Sequence, residues 1–198
     1  MKFRVDWVCT FLDSVRYSRL KCAIPVCTSQ ISSDHLWKPP STNLFRLDVD
    51  AGFDTRRNRF SVGAIIRDSQ GVTRGAHALI ICNPGSVLAA EILAIRCGMD
   101  LCLQVGVASV CIYSDSKEAV RVVLNPDMDA GSVGVLALEV HSMFLLNNFV
   151  SIKHMHRSTN TVAHFLAHRA FNSSSNLLWL DGNIPSWLSC IVTRDFPT

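Results

Sequence analysis

The chain lacks any apolar run long enough to form a membrane-spanning helix, so a membrane partner is not expected. Its first residues, Met1-Lys2-Phe3-Arg4-Val5-Asp6-Trp7, include an acid and no long apolar core, which argues against a secretory signal peptide. CxxC spacing is also missing among the eight cysteines, Cys9, Cys22, Cys27, Cys82, Cys97, Cys102, Cys111 and Cys190. That absence removes the commonest zinc and redox frameworks. Cys82 and Cys111 lie inside apolar runs, where a thiol behaves as a small hydrophobe. Reduced, buried thiols in a nuclear or cytoplasmic protein are therefore expected. Neither sign of charge dominates: 19 Lys and Arg stand against 16 Asp and Glu, a net charge of +3. This balance permits a nucleic-acid partner without demanding one, because local patches govern binding.

What is present is a chain of 198 residues, 48% hydrophobic and 18% charged, enough for one folded domain with a full core and an extension. Residues 1–40 carry scattered aromatics and no sustained period, and read as a leader or the remnant of a neighbouring domain. Trp37-Lys38-Pro39-Pro40-Ser41 marks the boundary, since consecutive prolines join neither a helix nor a central strand. Cys22, Cys27 and His35 suggest zinc only weakly, because a fourth ligand and standard spacing are missing. The main domain spans 41–172. A polar Ser173-Ser174-Ser175 linker and a short apolar tail make up 173–198.

Within the domain the pattern is regular. Leu44–Val49, residues 60–67 and Val72–Cys82 read as three strands in an antiparallel meander, with a turn at Asp68-Ser69-Gln70-Gly71. Residues 87–105 place Leu88, Ile92, Ile95, Met99 and Leu103 at helical spacing, with Ser86 before them and Gly106 as a stop. Val107–Tyr113 is a short buried strand, followed by helices over Ser116–Leu124 and Val133–Leu146. Phe149–Met155 is a last strand and Asn160–Phe171 a last helix, which Asn160 is expected to cap. Strands separated by helices are expected to lie parallel with right-handed crossovers, giving a mixed α/β sheet.

Three acids stand at the edges of these segments. Asp50 ends the first strand, Asp115 follows the fourth, and Glu91 sits in the first turns of the helix after the meander. If the first and fourth strands are adjacent and parallel, both aspartates reach one crevice of the kind where α/β sheets bind ligands. Three converging carboxylates repel unless a cation neutralises them. Oxygen-only donors suit Mg²⁺ or Mn²⁺ rather than Zn²⁺. Asp48 shares a strand face with Asp50 and is expected to be a solvated edge residue or a secondary contact rather than a ligand. Ser114 and Ser116 are natural helix caps, and His164 and His168, four apart on one helix, read as solvated or packed rather than as zinc ligands.

The order of motifs resembles the ribonuclease H type 1 domain, and within it the reverse-transcriptase-like, retrotransposon-derived branch found in plants. The matching residues are Trp37-Lys38-Pro39-Pro40, Leu47-Asp48-Val49-Asp50-Ala51, Ala64-Ile65-Ile66-Arg67-Asp68 with Gly71, Ala89-Ala90-Glu91, Tyr113-Ser114-Asp115-Ser116, His154-Met155-His156-Arg157 and Asn160-Thr161-Val162-Ala163-His164. The resemblance covers about 37–172. It implies a ribonuclease H-like mixed five-stranded sheet, three antiparallel strands then parallel ones, with helices on both faces. It implies an endonuclease that hydrolyses the RNA strand of RNA–DNA hybrids with two Mg²⁺ (or Mn²⁺) ions about 4 Å apart; a monomer is expected. Asp50 would then bridge both ions, with Glu91 and Asp115 completing the ligands. His154 would carry a proton or help product leave. Ser114, Ser116, Arg157 and Asn160 would meet substrate, and RNA would be selected through its 2′-hydroxyl.

One departure stands out. The family's fourth acid falls at His164, and a histidine cannot supply that negative charge. The alternative reading is a weakened domain that binds nucleic acid or protein without cutting. Arg56, Arg57 and Arg59, with Lys153, His156 and Arg157, are the candidate phosphate contacts. The connection Asp127-Met128-Asp129-Ala130-Gly131 is short and acidic where some family members carry a basic handle, so binding is expected to be weak and salt-sensitive.

Overall fold

The computed structural model describes residues 37–126, 133–173 and 175–195. Most of the leader, with Cys22, Cys27 and His35, and the acidic connection 127–131 lie outside the described residues. Strands β1 (Phe45–Asp54), β2 (Arg59–Arg67) and β3 (Thr73–Ile81) form the antiparallel meander. Helix α1 (Val87–Val105) crosses to β4 (Val110–Ser114), which lies parallel to β1. Helices α2 (Lys117–Leu124) and α3 (Gly134–Leu146) lead to β5 (Phe149–His154), parallel to β4. Helix α4 (Thr161–Phe171), strand β6 (Leu177–Leu180) and helix α5 (Ser186–Asp195) follow. The sheet order is β5-β4-β1-β2-β3-β6. Among the described residues no helix is long and apolar enough to cross a membrane.

Among the described residues the sheet has six strands, not five. The sixth comes from the segment read as tail: Leu177-Leu178-Trp179-Leu180 pairs antiparallel with β3. Four residues after a serine linker carry too little period to announce a strand. The open edge of β3 supplies the partner, and Trp179 meets Trp187 of α5 edge-on at 5.5 Å. Leu188 and Val192 of α5 are buried against the sheet and α4. Cys111 is buried as expected, whereas Cys82 is exposed, because β3 ends at Ile81.

The two faces divide the helices. Leu47, Val49, Val62, Ala64 and Ile66 pack against α1, α2 and α3, while Ile65, Ala76 and Ala78 pack against α4 and α5. Helix α1 ends as its sequence predicts, with Gly106 in the left-handed region (φ 74°), where a side chain would be strained. Gly63 on β2 sets the height of α4. A Cβ there would stand 2.2 Å from the Ala163 carbonyl oxygen and 2.4 Å from the Ala167 nitrogen, so only glycine lets the helix backbone come this close. That approach brings His164 down onto β1.

Asp48 is not a solvated edge residue: it is 0% exposed. Its Oδ1 accepts from Arg46 Nε (2.7 Å), and its Oδ2 accepts from Arg67 Nη2 (2.7 Å) and Trp37 Nε1 (2.9 Å). The Arg67 guanidinium lies 3.9 Å over the Trp37 ring, and Arg46 lies 4.2 Å over Tyr113. Arg67 also pairs with Asp195 at 2.7 Å. The charge is tolerated inside because each oxygen accepts from an arginine guanidinium. Trp37, read from the sequence as the end of the leader, is therefore part of the folded sheet layer.

Candidate metal centre

Strand β1 continues past its expected end at Val49 and runs to Asp54, paired throughout with β2. Asp50 is thus inside the strand, not at its end. On the other side the pairing with β4 stops at Val49↔Ser114, so Asp50 and Asp115 meet just beyond the last shared rung. The turn after β4 is pinned twice: Ser114 Oγ accepts from the Ser116 N–H (3.1 Å), and Ser116 Oγ caps α2 by accepting from Ala119 N–H (3.3 Å). Glu91 is placed by α1, whose first turn is capped by Ser86 Oγ on Ala89 N–H.

These elements bring Asp50, Glu91 and Asp115 together, with one carboxylate oxygen from each lying within 4.8 Å of the others. Asp50 is 3% exposed, and Glu91 and Asp115 are half-buried. Burial pushes the Glu91 carboxyl up to about 8, and the charges of Asp50 and Asp115 add to the rise. Burial also raises Asp50, opposed by its hydrogen bond with His164. Glu91 Oε2 is buried with no hydrogen-bond partner. A carboxylate with an unpartnered oxygen, grouped with two further acids, is a donor set that suits a hard divalent cation, and three oxygens favour Mg²⁺ or Mn²⁺ over Zn²⁺.

His164 stands against this group. Its Nδ1 is 2.8 Å from Asp50 Oδ2, and its Nε2 is 3.4 Å from Arg157 Nη2. A guanidinium only donates, so Nε2 is the accepting nitrogen and Nδ1–H donates to Asp50. Arg157 lines a crevice of about 400 Å³ with Glu91, Asp115, Ser116, Glu118, Val87 and Leu88. Its positive charge opposes the rise at Glu91.

The other predicted residues are distributed unevenly. His154 is the exposed last residue of β5, outside the lining of the crevice. Ser114 is buried and Ser116 lines the crevice. Asn160 is 1% exposed, and its Nδ2 donates to the Val49 carbonyl at 2.9 Å. It does not cap α4 with its side chain. Instead it ties the start of α4 to the residue before Asp50. Among the loop arginines, Arg59 donates to the Phe171 carbonyl and lies 5.8 Å over that ring, so it is engaged at the end of α4. Arg56, Arg57, Lys153 and His156 are exposed. His164 and His168 meet edge-on at 4.5 Å rather than forming a metal site. Glu118, Val87 and Leu88 were not anticipated. They line the crevice because they lie at the starts of α2 and α1, the same helix ends that carry Asp115 and Glu91.

The fold is that of ribonuclease H. The RNase H1 of the archaeon Halobacterium salinarum superposes with a TM-score of 0.57 at 17% identity, covering 65% of this chain and 98% of the archaeal one. LC11-RNase H1, isolated from compost by a metagenomic approach, gives 0.56 at 20% identity over 66% of this chain and 97% of its own. A structure of LC11-RNase H1 in complex with an RNA/DNA hybrid gives 0.51 at 19% identity, over 65% and 96%. No curated protein matches the chain. A family model described as reverse transcriptase-like matches residues 48–170, more than half of the sequence. The chain belongs to that reverse transcriptase-like family.

Proposed function

We propose that this domain is a divalent-metal-dependent nuclease that hydrolyses the RNA strand of RNA–DNA hybrids. The observation that carries the reading is the convergence of Asp50, Glu91 and Asp115 at the mouth of the parallel strands, with Glu91 Oε2 left unpaired. Asp50, Glu91 and Asp115 would hold the cation. A cation held there would supply Lewis acidity for activating water and positive charge beside the leaving oxygen. Asn160 and the β1–β2 ladder fix Asp50 in place, so the carboxylate is oriented before substrate arrives. Arg157, on the crevice wall, is placed to meet a phosphate. His154, exposed at the end of β5, is accessible to exchange a proton with solvent. Selection of RNA is assigned to the 2′-hydroxyl. The fold shared with LC11-RNase H1, whose structure with an RNA/DNA hybrid is known, supports this choice of substrate.

A second reading is favoured by one observation. His164, where the resemblance puts the fourth acid, donates to Asp50, which suits a module that binds nucleic acid without cutting it. The test is cleavage of a hybrid labelled on its RNA strand, in Mg²⁺ and in Mn²⁺, beside an Asp50→Asn control. RNA cleavage by the wild type alone establishes the nuclease. Hybrid binding without cleavage by the folded protein, in both ions, selects the binding module.

A further inference from the structure

Asp50 offers two oxygens, and one of them already accepts a hydrogen bond. His164 Nδ1 lies 2.8 Å from Oδ2, and the other ring nitrogen faces Arg157. The imidazole therefore has no free lone pair with which to act as a ligand. A carboxylate that bridges two cations 3.5–4 Å apart must turn oxygen lone pairs toward both. On the Oδ2 side of Asp50 the neighbours are an N–H donor and, behind it, the exposed guanidinium of Arg157. The electrostatic balance agrees with this. Glu118, also on the crevice wall, is paired with Arg121 at 2.6 Å, and the three remaining carboxylates are offset by one dication together with the Arg157 guanidinium. A second dication would leave an excess of two positive charges in a half-buried space, where charge is weakly screened.

We infer that this centre takes one divalent ion per chain, held by Asp50, Glu91 and Asp115, and that the contact of His164 with Asp50 and Arg157 excludes a second. The inference rests on the metal-centre reading above, and it concerns the ion count rather than the reaction. It also explains why Arg157 lies beside a group of acids without forming a close ion pair with any of them. In a one-ion centre the guanidinium supplies the remaining positive charge.

The test is Mn²⁺ binding to the full chain, without nucleic acid, read by loss of the free-ion signal in electron paramagnetic resonance. The wild type is expected to bind one Mn²⁺, and Asp50→Asn to lose it. His164→Asp replaces an N–H donor with a carboxylate beside Asp50. It is expected to bind a second Mn²⁺ at least about tenfold more tightly than any second site of the wild type, a difference of about 1.4 kcal/mol. Circular dichroism melts establish that each variant is folded. Two Mn²⁺ of comparable affinity in the wild type overturn the inference, as does a folded His164→Asp that still binds one. A count of zero, or one unchanged by Asp50→Asn, defeats the metal-centre reading itself, so the two failures are distinguishable.

Discussion

Asp48→Asn keeps the shape of the buried acid and removes its charge. In the wild type Asp48 is 0% exposed, Arg67 1% and Arg46 6%, and three donors reach the carboxylate within 2.9 Å. The amide can satisfy one side of this cluster, but its NH₂ must face a guanidinium, donor against donor. Breaking a buried ion pair by removing one partner costs about 3–5 kcal/mol, because the remaining charge stays buried. Arg67 retains Asp195 at 2.7 Å, and Arg46 retains the Lys38 carbonyl at 2.8 Å, which places the cost toward the lower end, about 3 kcal/mol. That is a large share of the roughly 5–15 kcal/mol that holds a domain folded. With a urea slope of about 1–3 kcal/mol per molar, the unfolding midpoint should fall by about 1–3 M. Asp54→Asn is the control. Its ion pair with Arg57 is long, 3.9 Å, with Arg57 64% exposed, and its loss should move the midpoint little. A shift for Asp48→Asn no larger than that of the control would refute the reasoning, since it would mean that water reaches the cluster.

Two further outcomes follow from the same geometry. The Glu91 carboxyl titrates near 8 in the fold against an ordinary 4.5, so between those values the native state keeps a proton that the unfolded chain has lost. The contribution of Glu91 to stability in the absence of divalent ions should therefore be fully present below about pH 4.5 and fall as pH rises toward 8, by on the order of 3 kcal/mol at pH 7. Glu91→Gln should flatten that fall in melts taken from pH 5 to 8, and equal slopes in the two proteins would refute the assignment. Gly63→Ala places a Cβ 2.2 Å from the Ala163 carbonyl oxygen, so α4 must move outward. A loss of about 1–3 kcal/mol is expected, together with a longer His164–Asp50 distance in its crystal structure.

Much of this was legible in the chain, and the exceptions share a cause. Helix α1 was found to the residue because Ile92, Ile95 and Met99 keep a 3.6 period between a serine cap and a glycine stop. The three acids were legible because each follows a recognisable apolar segment and their order matches a known pattern. The end of β1 was missed because Ala51-Gly52-Phe53-Asp54 looks like a turn. The ladder to β2, closing at Asp54↔Arg59, carries those residues in the strand. β6 was missed because its order comes from the edge of β3, about 100 residues earlier, rather than from its own four residues. Asp48 was misread because an acid is normally a surface residue. Its burial depends on Trp37, Arg46 and Arg67, whose convergence only the folded sheet provides. The resemblance singles out His164, but its hydrogen bond to Asp50, across 114 residues, is not legible in the chain.

The central claim is that Asp50, Glu91 and Asp115 form a cation site. It is tested most directly by a crystal soaked in Mn²⁺ and measured for anomalous scattering. The account predicts a peak enclosed by the three carboxylates, within about 2–2.6 Å of an oxygen from each. Mn²⁺ bound elsewhere on the protein, with no peak between these three side chains, would contradict it.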